Sequence, residues 1–208
     1  MNDLSTVASA YGLSPAEAER LKIYDAQLLQ ASSHTNLIAR STLPQRFGRH
    51  YADSFQLWEH VPNGASTLLD IGSGAGFPGL LLALLAEDRM PGLHLTLCDS
   101  VGKKAAFLAS TAQEMGLSNV TVTAQRAEAL DRRFDIVSAR AVTALPRLLD
   151  LAVPRVAPNG HLILPKGRNS EEELAEARKR WTMNAKRVQS HTDPEATILL
   201  LSNPEPRR

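Results

Sequence analysis

The spacing of apolar residues divides the chain into an N-terminal helical part and a longer part of short apolar runs. Apolar residues recur at helical spacing in two early stretches, from Pro15 to about Ser32 and from about Thr42 to His60. The first stretch opens with a capping box made by Ser14 and Glu17, and proline fills the first helical position. Both stretches are therefore predicted to be helices.

After the break "VPNGAS", short apolar runs alternate with helical patterns. The predicted strands are "TLLDIG", "LHLTLCDS", "NVTVTA", "FDIVSAR", "GHLILPKG", "KRVQSH" and "ATILLLS". The predicted helices begin near Pro78, near Val101, in "TALPRLLDLAVPRV" and at Ser170, where a second S-x-x-E box is expected to cap the helix. This alternation predicts an α/β fold, with a seven-stranded, mostly parallel sheet and helices on both faces. We expect a helical extension over residues 1–62, packed on a sheet domain over residues 63–208.

Composition excludes several classes of protein. The chain has 208 residues, of which 43% are hydrophobic and 22% charged, enough for one domain with an appendage. No apolar stretch reaches the roughly 18 residues of a membrane helix, and the N-terminus lacks the features of a signal peptide. The lone Cys98 excludes a disulfide framework and a cysteine-rich metal site. We therefore expect a cytoplasmic protein with no membrane and no metal, and the net charge of +1 does not name a partner.

The stretch "LLDIGSGAGFPG", residues 68–79, carries the first candidate chemistry. The residues from Gly74 to Gly79 match the G-x-G-x-x-G fingerprint, whose glycines allow a tight turn and a close ligand approach. With Asp70 two residues before Gly72, the stretch reads D-x-G-x-G-x-G and resembles the first motif of class I S-adenosylmethionine methyltransferases. The resemblance implies a loop along the methionyl and ribose parts of the cofactor, where a Cβ atom would fill the cofactor's space.

A second acid points to a nucleoside ligand. Asp99 ends the second predicted strand, about twenty residues past Gly79, where a carboxylate accepts hydrogen bonds from the ribose of NAD or S-adenosylmethionine. The sequence leaves another interpretation open, in which Asp99 caps the helix that begins near Val101. Asp70 has a similar alternative as a structural acid that bonds the amides of the glycine loop.

The whole series of motifs resembles one specific family, the bacterial ribosomal small-subunit methyltransferase G family, also called glucose-inhibited division protein B. The motifs are, in order, "TNLIAR", "RHYADSF", "LLDIGSGAGFPG", "LCDSVGKKAAFL", "RAE", "FDIVSARAV" and "LILPKGR", and they cover about residues 20 to 170. The resemblance implies a Rossmann-like class I methyltransferase fold and methylation of N7 of one guanosine in 16S rRNA. It also implies S-adenosyl-L-methionine as cofactor, S-adenosyl-L-homocysteine as product, and 16S rRNA as substrate, within the small subunit or its assembly intermediate. We expect a monomer, although the sequence does not fix the oligomeric state.

The resemblance also implies a set of site residues. The cofactor contacts would fall on Asp70, Gly72, Gly74, Phe77, Asp99, Ala127, Glu128 and Arg140. Positioning candidates are Asn36, His50 and Arg140, and the expected RNA-binding residues are Arg49, Arg126, Lys166 and Arg168. No catalytic residue is assigned with certainty, because guanine N7 carries a free lone pair and its attack needs no general base. Open alternatives are a core role for Phe77, a structural role for His50 and a solvated Glu128.

Three other functions compete with rRNA methylation. The chain could act on a small molecule, or it could be a non-catalytic nucleoside-binding or RNA-binding module of the same fold. A nicotinamide dehydrogenase is the weakest alternative, because no Tyr-x-x-x-Lys motif or His/Asp relay occurs at a suitable place. The chain also departs from many relatives at Glu195 and Ala196, where they carry a basic residue, and the tail residues Arg207 and Arg208 have no assigned role.

Overall fold

The computed structural model describes residues 3–207, so that Arg208 lies outside the described part. Two α-helices open this part of the chain, α1 (Leu4–Ala10) and α2 (Pro15–Ser32). The capping box of α2 is formed as predicted, because the Ser14 hydroxyl accepts from the Glu17 amide and the Glu17 carboxylate from the Ser14 amide. Helix α1 was not predicted from the sequence.

The region predicted as one helix between Thr42 and His60 is a series of short turns of different width. It consists of the 3₁₀ turn Arg40–Gln45, the π turn Phe47–Ala52, the single α turn α3 (Asp53–Phe55) and the 3₁₀ turn Gln56–His60. The π turn buries Phe47, His50 and Tyr51 together, so tertiary packing outweighs the regular helical period here. The prediction of a continuous helix is therefore wrong, although the segment remains helical in character.

A seven-stranded sheet in the order β3-β2-β1-β4-β5-β7-β6 follows these helices. Its strands are β1 (Thr67–Ile71), β2 (His94–Cys98), β3 (Val120–Thr123), β4 (Phe134–Ala139), β5 (Val156–Lys166), β6 (Trp181–Gln189) and β7 (Thr197–Pro206). The first five strands are parallel, and β7 runs antiparallel between β5 and β6. The predicted mostly parallel sheet is confirmed.

Helices cover both faces of this sheet. They are α4 (Gly79–Arg89), α5 (Gly102–Glu114), α6 (Leu145–Ala152) and α7 (Ser170–Ala177). Side chains alternate along β1, so Leu69 packs with the α6 and α7 side, whereas Leu68 packs with α4. The N-terminal helices share a core with α4 and α5, and the Tyr24 hydroxyl donates to the Ala75 carbonyl of the glycine loop at 2.7 Å.

One capping prediction is wrong. Helix α7 begins at Ser170 after Asn169 as its N-cap, and Ser170 is buried without a capping hydrogen bond. Its predicted partner Glu173 instead accepts from the Leu145 amide and from Lys166. Glu173, which the local pattern assigned to the cap of α7, therefore makes long-range contacts instead.

Within residues 3–207, no helix is both long and apolar enough to span a bilayer. Across the same residues, no group of three or more histidine, cysteine, aspartate or glutamate side chains is arranged to hold a metal ion.

Candidate functional site

Two cavities lie side by side at the carboxyl ends of the parallel strands, the edge where open α/β sheets bind ligands. The smaller, called here the strand-end cavity, has a volume of about 490 Å³. It is lined by Ile71, Gly72, Cys98–Val101, Lys104, Gln125–Glu128, Ala141–Thr143, Arg147 and Leu151. The larger, called the cleft, has a volume of about 900 Å³ and lies between β4, β5, the loop after β6 and the N-terminal turns. Residues Ala141–Thr143 line both cavities, and we call them the ridge.

The glycine loop after β1 needs its glycines mainly for its own conformation and packing. Gly72, Gly74 and Gly76 all have positive φ angles, of 69°, 57° and 103°. A Cβ atom on Gly79 would lie 2.5 Å from the Leu97 side chain and 2.6 Å from the Asp70 carboxylate. The expectation that a Cβ would fill ligand space is therefore corrected at Gly79, where the space belongs to the core.

Asp70 supports the loop from below and does not face a cavity. Its side chain is fully buried, and its two oxygens accept from the Ser138 hydroxyl at 2.8 Å and the Gly79 amide at 3.1 Å. Burial raises the pKa of Asp70 to about 6, and the hydrogen bonds from Ser138, Ser73 and Gly79 oppose that rise. This geometry supports the alternative in which Asp70 is a structural acid of the glycine loop, and its contact with a cofactor stays a prediction.

Asp99 lies in the strand-end cavity and also organises its wall. One carboxylate oxygen accepts from the Gly74 amide at 2.9 Å and the other from the Val101 amide at 2.8 Å. The cap interpretation is wrong in detail, because the N-cap of α5 is Val101 and no described side chain caps that helix. The carboxylate has lone pairs left for two further donors, and ribose binding stays a prediction. Gly74 does not line the cavity itself and contributes through this hydrogen bond.

The segment after β3 supplies the opposite wall of the strand-end cavity. Arg126, Ala127 and Glu128 all line this cavity. Ala127 and Glu128, the two predicted cofactor contacts, therefore lie where a bound ligand can reach them. Arg155 fixes this segment from behind, since its guanidinium donates to the main-chain oxygens of Ala127 and Glu128. Contact of these residues with a cofactor stays a prediction.

Cys98 also lines this cavity at the end of β2. Its thiol donates to the Gln125 carbonyl at 3.1 Å, and burial raises its pKa to about 11. Because a protonated thiol is a poor nucleophile, Cys98 acts here as a small packing residue.

Phe77 belongs to the core beneath the glycine loop. It is 4% exposed, packs edge-on against Tyr24 and is covered by the His50 ring, whose centroid lies 4.9 Å away. The Arg140 guanidinium lies 4.9 Å from the same ring. Phe77 therefore lines neither cavity, which supports its alternative role in the core, and its contact with a cofactor stays a prediction.

Arg140 lies in the cleft and not in the strand-end cavity. Its guanidinium donates to Asp53 at 3.2 Å and to His50 Nδ1 at 3.2 Å. Because an arginine nitrogen only donates, Nδ1 must accept, and the neutral ring carries its proton on Nε2, which faces Thr42 at 3.2 Å. Burial, followed by the charges of Arg140 and Arg49, lowers the pKa of His50 to about 4. The cleft therefore holds a neutral histidine at physiological pH.

The loop that follows β6 forms a wall of the cleft and was missed by the sequence analysis. Asp53 accepts from Thr192 at 3.0 Å with the oxygen that also accepts from Gln56, while its other oxygen holds Arg140. The side-chain oxygen Oε1 of Gln56 accepts a hydrogen bond from the His191 main-chain amide at 2.8 Å. No local signal identifies this contact, because it depends on the position of β6 and β7 beside β5.

Lys166 holds the ridge and is not a free surface cation. Its ammonium donates to the Thr143 carbonyl at 3.1 Å and to Glu173 at 2.8 Å, and only 10% of its side chain is exposed. Ala141, at the start of the ridge, adopts a φ of 56°, which is unusual outside glycine. These contacts give Lys166 a role in fixing the ridge, and its contact with RNA stays a prediction.

The other predicted residues are scattered. Arg49 is exposed and lines the cleft. Arg168 is exposed outside the lining of both cavities and lies 3.5 Å from Glu195. Asn36 is exposed in the loop after α2 and lines neither cavity, so its predicted positioning role has no support in the geometry. Arg207 bonds the carbonyls of Arg178 and Arg180 and completes the sheet edge.

The strand-end cavity fits a nucleoside cofactor. Its volume lies within the range of small-molecule sites, and a carboxylate with free acceptor capacity, Asp99, sits beside a glycine with positive φ. The exposed side chains of Val101 and Val142 supply apolar surface at its mouth. The residues present therefore match a ligand that combines a flat base with a hydroxylated sugar.

Comparison with known proteins agrees with this geometry. Residues 17–198 match the family described as rRNA small subunit methyltransferase G. The chain is 45% identical over 200 residues to Ribosomal RNA small subunit methyltransferase G of Rhodospirillum centenum, covering 96% of this chain and 90% of that protein. The protein of the same name from Methylobacterium nodulans is 38% identical over 205 residues, covering 97% of this chain and 96% of that protein.

Solved methyltransferase structures share the fold. The N-methyltransferase NodS of Bradyrhizobium japonicum, in complex with S-adenosyl-L-homocysteine, matches with a TM-score of 0.57 and 17% identity over 86% of this chain and 99% of its own. An O-methyltransferase of Bacillus cereus, also in complex with this product, matches with a TM-score of 0.57 and 16% identity over 86% and 90%. The fold is therefore that of the class I methyltransferases.

Proposed function

Because the chain belongs to the rRNA small subunit methyltransferase G family, we propose that it methylates N7 of one guanosine in 16S rRNA, with S-adenosyl-L-methionine as the methyl donor. The observation that carries this proposal is the pair of cavities separated only by the ridge Ala141–Thr143. A methyl group held over the ridge on one side faces a base held in the cleft on the other. S-adenosyl-L-homocysteine is then the product.

The residues of the strand-end cavity would hold the cofactor. Asp99 accepts hydrogen bonds from the ribose hydroxyls, and the backbone of Ala127 with the carboxylate of Glu128 meets the adenine amino group. Gly72, which has no side chain and adopts a φ of 69°, allows close approach of the methionyl part. When bound, S-adenosylmethionine supplies an electrophilic sulfonium methyl group.

The cleft supplies position and electrostatics, because guanine N7 already carries an unprotonated lone pair. Transfer then depends on in-line placement of N7 and on fixed dipoles. The Arg140 guanidinium, held by Asp53 and His50, is a rigid donor in that cleft. Guanine also presents O6 as an acceptor beside N7, and an arginine can donate to O6 while the N7 lone pair stays free to attack the methyl group. We therefore place Arg140 with the substrate base.

The wider setting follows from this activity. We propose a cytoplasmic protein that meets 16S rRNA in the small subunit or in an assembly intermediate. A monomer is supported by the surface of residues 3–207, where the large apolar side chains that are exposed are Leu29, Val101 and Val142. We also propose the domain division at residues 62 and 63, which falls between the last N-terminal turn, ending at His60, and β1.

Transfer of labelled methyl groups tests the proposal. Purified protein is incubated with small subunits, or with free 16S rRNA, from a strain that lacks this gene, and the RNA is digested and analysed by mass spectrometry. We expect one N7-methylguanosine per 16S rRNA, absent without protein. Label in a low-molecular-weight fraction, or cofactor binding with no transfer to either RNA preparation, would contradict the proposal.

A further inference from the structure

Three cationic side chains surround the strand-end cavity, and each comes from a different element. Lys104 lies in the first turn of α5, Arg126 follows β3, and Arg147 lies in α6. Within residues 3–207, none of these side chains forms an ion pair with an acidic side chain. Arg126 and Arg147 are exposed, and Lys104 is half-buried. None of the three positive charges at the mouth of the cavity is therefore neutralised by a direct ion pair within the described part of the chain.

The cations of the neighbouring cleft are arranged differently. Arg140 pairs with Asp53 and Lys166 pairs with Glu173. Arg49 is the one cation of the cleft lining that has no acidic partner among the described residues. The free positive charge of the site is thus concentrated around the strand-end cavity, beyond the ridge.

The cofactor does not account for these charges. S-adenosylmethionine combines a sulfonium, an ammonium and a carboxylate group, so it carries a net positive charge and is repelled by a cationic rim. Two acids, Asp99 and Glu128, line the same cavity, so its described lining holds three cations against two acids and keeps an excess of positive charge. With the cationic cofactor bound, this excess favours an additional anion.

We infer that Lys104, Arg126 and Arg147 form a phosphate-binding rim for the rRNA backbone next to the target guanosine. This inference rests on the proposed function. The ridge lines both the cleft, where we place the target base, and the cavity that carries the rim, so the rim lies beside the nucleotides that flank that base. Phosphate contacts of this kind contribute affinity and register without reading sequence.

The rim also couples the two ligands electrostatically. RNA phosphates on the rim cancel the positive charge that opposes a cationic cofactor, so bound RNA strengthens binding of S-adenosylmethionine. By linkage, the cofactor strengthens RNA binding by the same factor. The product, S-adenosylhomocysteine, is a neutral zwitterion without the sulfonium charge. RNA phosphates on the rim therefore increase its binding affinity less than that of S-adenosylmethionine.

The test uses Lys104→Gln and Arg147→Gln, with Lys103→Gln as the matched control. Lys103 lies one position away on α5, carries the same charge, is exposed and lines neither cavity. Binding to the RNA preparation that the unmodified protein methylates is measured over a series of KCl concentrations. Affinity for S-adenosylmethionine without RNA is measured by calorimetry.

We expect the slope of log K against log salt to fall by roughly 0.7 to 0.9 for each rim substitution, and not for Lys103→Gln. Cofactor affinity without RNA should stay the same or rise in the rim variants. An unchanged slope, or weaker cofactor binding, would overturn the rim while leaving the methyl transfer of the unmodified protein intact. Failure of the proposed function is distinguishable, because the unmodified protein would then methylate neither RNA preparation.

Discussion

The two glycines at the ends of the fingerprint should respond very differently to alanine. At Gly79, the new Cβ atom would meet Leu97 at 2.5 Å and Asp70 at 2.6 Å, and both neighbours are fully buried. Overpacking of this kind costs about 1–3 kcal/mol, and displacing the Asp70 acceptor from the Gly79 amide adds about 1–3 kcal/mol. The higher helix propensity of alanine offsets at most about 1 kcal/mol of this loss in stability. We expect Gly79→Ala to lose about 2–4 kcal/mol of stability.

At Gly74, the same change has only a conformational cost. Its φ of 57° opposes a side chain by about 1–2 kcal/mol, while the nearest atom to a Cβ is the Gly72 carbonyl oxygen at 3.7 Å. A lower entropy of the unfolded chain offsets about 0.4–1 kcal/mol, so Gly74→Ala should lose about 1 kcal/mol or less.

Urea unfolding followed by circular dichroism and by tryptophan fluorescence measures both variants. The midpoint should fall strongly for Gly79→Ala and slightly for Gly74→Ala, with an unchanged dependence on denaturant. The reasoning is refuted if Gly79→Ala is as stable as the unmodified protein, or if Gly74→Ala is the more damaging of the two.

Three further predictions concern the site. Asp99→Ala should weaken S-adenosylmethionine binding at least tenfold in calorimetry, because a hydrogen bond to a charged acceptor contributes about 1.5–3 kcal/mol. Unchanged affinity would show that Asp99 does not bind the cofactor. His50 has a pKa lowered from 6.5 to about 4, so its contribution to stability is present above pH 6.5 and is lost as the pH falls towards 4. In unfolding experiments from pH 4 to 8, His50→Gln should flatten this part of the pH profile, and an identical profile would contradict the buried neutral ring. Because Lys166 holds the ridge, Lys166→Met should lower kcat more than tenfold and leave the salt dependence of rRNA binding unchanged. A smaller salt dependence of rRNA binding in this variant would instead indicate that Lys166 contacts a phosphate.

The sequence predicts those parts of the fold that depend on local chemistry. The capping box at Ser14 and the alternation of short apolar runs with helical patterns are local signals, and both agree with the structure. The turns between Thr42 and His60 were predicted as one helix, because a π turn that buries His50 against Phe77 depends on contacts distant in sequence.

The candidate site was predictable to the extent that it follows strand ends. Asp99 and the segment Arg126–Glu128 reach one cavity because β2 and β3 end at the same edge of the sheet. Pairing of Lys166 with Glu173 could not be predicted, since the local pattern assigned that acid to a helix cap. The contact of Thr192 with Asp53 was equally hidden, because it requires the antiparallel β7 between β5 and β6.

A crystal structure of the protein with S-adenosylmethionine at saturating concentration tests the central claim most directly. The account predicts the ribose within hydrogen-bond distance of the Asp99 carboxylate, roughly 2.5–3.2 Å, with the sulfonium methyl group directed over the ridge towards Arg140. A cofactor bound in the cleft against Arg140, or a strand-end cavity that stays empty, would contradict it.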